Sequence, residues 1–395
     1  MKQAKLLVVS FDAVSSSDLS VLLNFPNFQT LVKTGSLVKN VDSIFISNTY
    51  PIHTSMITGV MPKDHGIIDN TYFEYGNKEP YWRWYYDLIK ADNIVAQAIK
   101  NGLEVATIFW PVMAKAPVKY NIPEIIARDH ENQIMAVLKN STKGFALKYF
   151  LKYGRETNGS QQPQLDNFST KVAVDLLQAN KIDLLLLHLT DVDSAKHNYG
   201  CQSPQTRLAL ERMDQRLGKL LKAAGDNYQI LVVSDHSQVD AHRHIDLNKN
   251  NPFANTWWHL SEGCAVLLEK EPLNRQSFQA LKDWLTQQAF FRRFINSQEM
   301  HDSGFSQHSR LAIAAQADWA FSSEGNDHRG NHGYPLDLPD YQPFYFVQAT
   351  GVHVGQSFSG GSILDVAPLI LNLLRLPSFP CQGKLRKEIF TDSKS

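Results

Sequence analysis

Leu6-Leu7-Val8-Val9-Ser10-Phe11-Asp12 is a nearly continuous apolar run that stops on a carboxylate. A run of this kind suits a strand buried on both faces of a parallel sheet. Its carboxyl end, where Asp12 stands, is where open α/β sheets place their ligands. The pattern recurs. Val105-Ala106-Thr107-Ile108-Phe109-Trp110-Pro111, Asp183-Leu184-Leu185-Leu186-Leu187-His188-Leu189 and Gln229-Ile230-Leu231-Val232-Val233-Ser234 read as further buried strands, and the last empties into Asp235-His236-Ser237. Residues 37–46 and 344–348 are expected as strands of the same sheet, the latter as the last central one. Helical spacing marks 28–35, 93–101, 166–180, 206–224 and 363–374. Alternation of this kind predicts an α/β fold: a doubly wound, mostly parallel central sheet with helices on both faces.

Between residues 237 and 324 the rhythm breaks. A loop around Trp257-Trp258, a short strand at 265–268, a helix at 277–288 and a strand at 311–315 are expected there, forming a small inserted cap. The catalytic core is then 1–236 together with 325–395.

Composition bounds the function. With 395 residues, 43% hydrophobic and 20% charged, the chain has material for a large core. Lys plus Arg and Asp plus Glu both number 39, so zero net charge gives no footprint for a stable nucleic acid partner. Cys201, Cys264 and Cys381 lack CxxC spacing and read as buried free thiols. The first apolar run is too short for a signal peptide, and no window approaches the roughly 18 apolar residues of a membrane span. A cytoplasmic chain without a membrane span is expected. Nothing in the pattern specifies an oligomeric state.

The chemistry centres on Ser47-Asn48-Thr49-Tyr50-Pro51-Ile52-His53-Thr54-Ser55-Met56-Ile57-Thr58-Gly59. Pro51 suits a first helical turn, because its missing N–H has no intrahelical partner there. That places Thr49 just ahead of a helix start, where free N–H groups and the helix dipole favour an anion such as phosphate. A Thr before a helical Pro is by itself most often an N-cap; the company Thr49 keeps changes that reading. Asp12, Asp193, His197, Asp235, His236 and His332 all fall at expected strand ends or returns to the same sheet edge. Carboxylate with imidazole suits a zinc-type metal, and two groups of three can each hold one ion with a position left open. Asp193 and His197 stand four apart, so one helical turn aims both at one ion. Tyr72, Phe73, Tyr75, Tyr81, Trp82, Trp84, Tyr85 and Tyr86 form an aromatic loop that either packs the surface or walls a pocket.

Asp12, Asn48-Thr49-Tyr50-Pro51, His65-Gly66-Ile67-Ile68-Asp69-Asn70, Phe109-Trp110-Pro111, Asp193-Ser194-Ala195-Lys196-His197-Asn198-Tyr199-Gly200, Ser234-Asp235-His236 and Asn331-His332-Gly333-Tyr334 together resemble the nucleotide pyrophosphatase/phosphodiesterase family of the alkaline phosphatase superfamily. The likeness runs in order from residue 6 to about 375. It implies an alkaline phosphatase-like fold and two zinc ions. Asp12, Asp235 and His236 would hold the ion that also touches Thr49; Asp193, His197 and His332 would hold the other. Asn70 falls where the family contacts a phosphate oxygen, and Tyr50 where an aromatic flanks the substrate. The implied activity is hydrolysis of phosphodiester or pyrophosphate bonds in a small, nucleotide-like substrate through a phospho-threonine at Thr49. Where nucleotide-cleaving members carry an aromatic residue and Glu-Glu-Pro, this chain has His188-Leu189-Thr190-Asp191-Val192. That departure keeps phosphomonoesters, phosphonates such as phosphonoacetate and lipid head-group diesters open as alternatives. A non-catalytic metal-binding protein would have lost a ligand or the nucleophile, and neither is lost. A sulfatase would need Cys or Ser at position 49.

Overall fold

A computed structural model describes residues 4–128, 131–323, 325 and 327–391. Eight strands form one sheet: β1 (Leu6–Phe11), β2 (Ser36–Lys39), β3 (Val105–Ile108), β4 (Tyr120–Ile122), β5 (Leu184–Leu189), β6 (Gln229–Ser234), β7 (Tyr345–Gln348) and β8 (Gln356–Ser359). Their order is β8-β2-β7-β6-β1-β5-β3-β4. Only β7 runs against its neighbours, so the sheet is mostly parallel, with α-helices on both faces.

Side chains alternate across a strand, and here both faces are covered. Leu7, Val9 and Phe11 of β1 and Leu185, Leu187 and Leu189 of β5 join Phe168 and Val172 of the helix Gln164–Ala179 and Leu217 of the helix Pro204–Ala224. Leu6, Val8, Leu184 and Leu186 join Ile52 and Met56 of the helix Thr49–Thr58 and Leu369 and Ile370 of the helix Val366–Leu374. Two apolar layers thus sandwich the sheet and hold the Thr49 helix against one face.

Two expectations need correction. The strand expected at 37–46 ends at Lys39. Asn40 then takes a left-handed φ of 53°. The apolar residues beyond it, Val41, Ile44 and Ile46, are buried as an irregular segment that carries the chain over the sheet edge to Thr49. The segment at 344–348 is the last central strand, as expected; β8 follows it on the outer edge with the polar sequence Gln356-Ser357-Phe358-Ser359, which carries no apolar signal. Of the cysteines, Cys264 is buried, while Cys201 and Cys381 are partly exposed; all three are free thiols.

The Trp257-Trp258 segment is a strand, Thr256–Ser261, rather than a loop. It pairs antiparallel with Cys264–Glu269. With Ala312–Ala315 and Phe291–Phe294 these make a second, four-stranded antiparallel sheet. The same period of two operates here. Ala265 and Leu267 pack with Leu281 and Leu285 of the helix Arg275–Thr286, whereas Cys264 and Val266 pack with Phe45, Ile46 and Ile68 beside the Thr49 helix. The small sheet therefore sits on the segment that delivers Thr49. Among the described residues no helix is long and apolar enough to cross a membrane.

Leu186 is fully buried between Val8 and Thr107. Leu186→Ala should cost about 2–5 kcal/mol of stability, read as a lower urea midpoint with an unchanged slope; an unshifted midpoint would contradict the packing described.

Candidate active site and its metal-binding groups

Phe11 lies level with Leu189 on one side and Ser234 on the other. Asp12 and Asp235 therefore leave the sheet side by side. After β6 the chain turns, so Asp235 and His236 both reach inward. Asp235 Oδ1 accepts the N–H of Ala13 at 3.0 Å and of His236 at 2.8 Å. Its Oδ2 and Asp12 Oδ1 are buried without a hydrogen-bond partner.

Thr49 is the first residue of the helix Thr49–Thr58, not the residue ahead of it. Pro51 stands in its first turn, and Gly59 closes the helix at φ 67°. Thr49 is 7% exposed, and its Oγ1 lies 3.2 Å from His236 Nε2. His236 Nε2 is also 3.3 Å from Asp12 Oδ1 and 3.3 Å from Asp235 Oδ2. Asp193 and His197 share the helix Asp191–Tyr199, with His197 Nε2 3.3 Å from Asp193 Oδ1. The His332 ring lies 4.4 Å from that of His236 and 5.3 Å from that of His197, which brings the two groups together. All seven residues expected around the metals converge, as the groups Asp12, Asp235, His236 and Asp193, His197, His332, with Thr49 against the first.

The imidazoles are prepared for a cation. His197 Nδ1 donates to Gly330 O at 2.8 Å, His236 Nδ1 to Ser237 O at 3.2 Å and His332 Nδ1 to Asn48 Oδ1 at 2.7 Å. A hydrogen bond at Nδ1 fixes the tautomer and leaves Nε2 to bind metal. Zinc-type bonds of about 2.0–2.1 Å at tetrahedral angles separate donors by roughly 3.3 Å, the spacing seen here. Burial drives His236 and His332 down to about 4, so both are neutral, as metal ligands must be. Burial and then the charges of Asp193 and Asp235 push Asp12 well above the carboxylate range, a repulsion that a cation would relieve. For His197, burial acts downward, but Asp193 and Glu262 outweigh it and carry the ring to about 10. The residues fit zinc-type cations.

Asn70 Oδ1 accepts the Tyr50 N–H at 2.9 Å, which turns the Asn70 amide N–H₂ the other way. Tyr50, which the resemblance places beside a substrate, does not line the neighbouring cavity. Its ring is fully buried, edge-on to Trp82 at 5.2 Å, and it is Trp82 that lines the neighbouring cavity of about 430 Å³. Asn48, Asn70 and His332 line the same cavity, as does Trp257 of the small sheet. The aromatic loop and the cap thus meet at one recess beside the site.

Sequence reasoning passed over four residues. Asn48 gives its helix no side-chain cap; it donates instead to Asp69 Oδ1 at 2.6 Å and Ser261 Oγ at 2.7 Å while holding His332. Its place beside Thr49 was the available signal. Glu262 accepts the His332 N–H at 2.7 Å, and nothing in Ser261-Glu262-Gly263 marks it. His53, one turn beyond Thr49, joins Thr49 O and Ser10 Oγ, each at 2.8 Å. His188 lies 3.2 Å from Asp12 and is treated below.

A mostly parallel α/β sheet that ends in paired His/Asp groups around a helix-start threonine defines a phosphoryl hydrolase of the alkaline phosphatase superfamily. The chain belongs to the type I phosphodiesterase/nucleotide pyrophosphatase family, whose sequence model matches residues 6–335. It is 23% identical over 398 residues to the bis(5'-adenosyl)-triphosphatase ENPP4 of Bos taurus, covering 96% of this chain and 80% of the relative. It is 24% identical over 388 residues to human ectonucleotide pyrophosphatase/phosphodiesterase family member 7, covering 93% of this chain and 77% of the relative. The structure of murine ENPP5 superposes with a TM-score of 0.73 at 20% identity, covering 98% of this chain and 100% of that one.

His197→Ala and His332→Ala should each lower the zinc held after metal loading by about one ion per chain, measured by plasma mass spectrometry. Full occupancy in both variants would remove that group from metal binding.

Proposed function

We propose that the chain hydrolyses phosphodiester or pyrophosphate bonds of small, nucleotide-like substrates, with Thr49 as nucleophile and two zinc ions as cofactors. The observation that carries this reading is the Thr49 hydroxyl set 3.2 Å from His236 Nε2, beside the unpartnered oxygens of Asp12 and Asp235. Bound there, the ions supply a lowered pKa for the hydroxyl and neutralisation of phosphoryl charge.

Thr49 Oγ1 forms a bond to phosphorus as the bond to the leaving oxygen breaks, giving a phospho-threonine. Water then cleaves the P–Oγ1 bond and restores the hydroxyl. His53 steadies the first helical turn through Thr49 O, keeping Oγ1 in place. The Asn70 amide, pinned through its carbonyl by Tyr50 N–H, is free to donate to a nonbridging oxygen. The Thr49 N–H, which has no hydrogen-bond partner among the described residues, points the same chemistry from the helix start. Trp82 and Trp257 offer apolar walls to the organic substituent. Lys196, the buried cation on the Asp193 helix, is spent on Asp18 at 2.7 Å and Ala13 O. No use of it as the phosphate-facing cation of a monoesterase is therefore open, and a diester is the better match.

Relatives support the substrate class. One is named as a bis(5'-adenosyl)-triphosphatase, and a murine ENPP5 structure is a complex with AMP. In the stretch where nucleotide-cleaving members carry an aromatic residue and Glu-Glu-Pro, His188 and Leu189 are both buried and unavailable for stacking. Any base contact then falls to the tryptophans.

Thr49→Ala should abolish turnover of an aryl phosphodiester while zinc content is retained; persistent turnover would refute the nucleophile. Initial rates on a mononucleotide diester, a dinucleotide, a phosphomonoester and a choline-phosphate diester should rank the nucleotide substrates first. Preference for the monoester or the choline diester would overturn the substrate class.

A further inference from the structure

Asp12 uses its two oxygens differently. Oδ1 lies 3.3 Å from His236 Nε2 on the side of Thr49, and Oδ2 lies 3.2 Å from His188 Nε2. His188 sits in β5 directly opposite Ser10 of β1, with its side chain fully buried. Its other nitrogen, Nδ1, is 3.0 Å from Glu124 Oε2. Glu124 follows β4 and reaches across β3 to this point, and its side chain is 16% exposed. His188 Nε2 has no aligned hydrogen-bond partner, and its contact with Asp12 Oδ2 is an ion-pair approach.

His188 also lies within ligand spacing of His53 and Asp235. The His53 ring closes the remaining side, edge-on at 4.4 Å, and its own nitrogens are taken by Thr49 O and Ser10 Oγ. His53 therefore does not compete for Asp12. A carboxylate that ligates a cation through one oxygen can still swing about its Cβ–Cγ bond. A donor on the second oxygen removes that freedom, and a carboxylate behind the imidazole fixes the ring that donates.

We propose that His188, braced by Glu124, is a positioning residue that orients Asp12 toward the cation shared with Thr49. The inference rests on Asp12 being a cation ligand, as in the function proposed above.

Three variants test it: His188→Phe, which keeps a ring but no donor; His188→Gln, whose amide can still donate; and Glu124→Gln, which keeps an acceptor without charge. Each is stripped of metal, checked by circular dichroism and urea unfolding, and titrated with zinc against a chromophoric chelator. His188→Phe should weaken one zinc position roughly 10- to 100-fold. His188→Gln should recover most of that loss, and Glu124→Gln should lose less than His188→Phe. The rate constant kcat on an aryl phosphodiester should fall in the same order, with KM nearly constant. Zinc affinity in His188→Phe within about twofold of wild type overturns the proposal. So does equal loss in the Phe and Gln variants, and so does complete loss of one ion in both, which would make His188 a ligand. If His188→Phe fails to fold, Glu124→Gln carries the decision: an affinity and kcat both unchanged refute the brace. A wild-type chain that cleaves no diester would sink the proposed function, yet the zinc titration would still decide His188.

Discussion

The site depends on three parallel strands ending level with one another. β5, β1 and β6 are locked by paired registers in which Phe11 faces Leu189 and Ser234. A slip of one residue would turn every side chain to the opposite face, and with both faces buried that exchange is costly. The register therefore fixes where Asp12 and Asp235 emerge, and backbone N–H groups of Ala13 and His236 then fix which oxygen of Asp235 points inward. Carboxylates so close and so dry repel one another. Burial of charges without partners is expensive, so an arrangement of this kind is economical only with cations between them.

Around this frame, orientation comes from the second atom of each ligand rather than the first. The three imidazoles expected at the metals are anchored at Nδ1 by Gly330 O, Ser237 O and Asn48 Oδ1. Asn48 does more than hold His332. Its amide also ties Asp69 and Ser261, so the nucleophile's helix, the Asn70 turn and the edge of the small antiparallel sheet meet on one side chain. Gly333 fits beside it because its φ of 76° is left-handed. An added Cβ would come within 2.6 Å of Ser261 O and 3.0 Å of Asn48 Oδ1. The cap is thereby held at the site by polar contacts as well as by Cys264 and Val266 packing on Phe45 and Ile46.

Much of this was legible in the sequence. Continuous apolar runs located β1, β3, β5 and β6, because burial on both faces leaves a continuous signal. Residue type at strand ends suggested the candidate metal groups, and the family resemblance divided them into two. The failures have physical causes. β8 is polar and lies at an edge, so hydrophobicity could not mark it. Residues 41–46 are apolar because they are buried, not because they are extended in a sheet, and periodicity does not separate the two. Trp257 and Trp258 belong to a strand that pairs with the next one through the tight Glu262-Gly263 connection, a hairpin that the reading of 257–258 as a loop passed over. The family resemblance implied a substrate contact for Tyr50; its ring packs inward, while Trp82, more than thirty residues away in the chain, lines the cavity. Asn48, Glu262 and Glu124 act on other side chains rather than on a substrate, and only coordinates reveal such pairings.

Asn48 also leaves something undone. It occupies the capping position of the Thr49 helix yet turns its side chain away, so the helix begins without the hydrogen bond that Asn at that position ordinarily supplies. Such a cap is worth about 1 kcal/mol in an ordinary helix. In the function proposed above, a bound phosphoryl group would supply what Asn48 withholds, so that substrate binding and completion of the helix would be coupled.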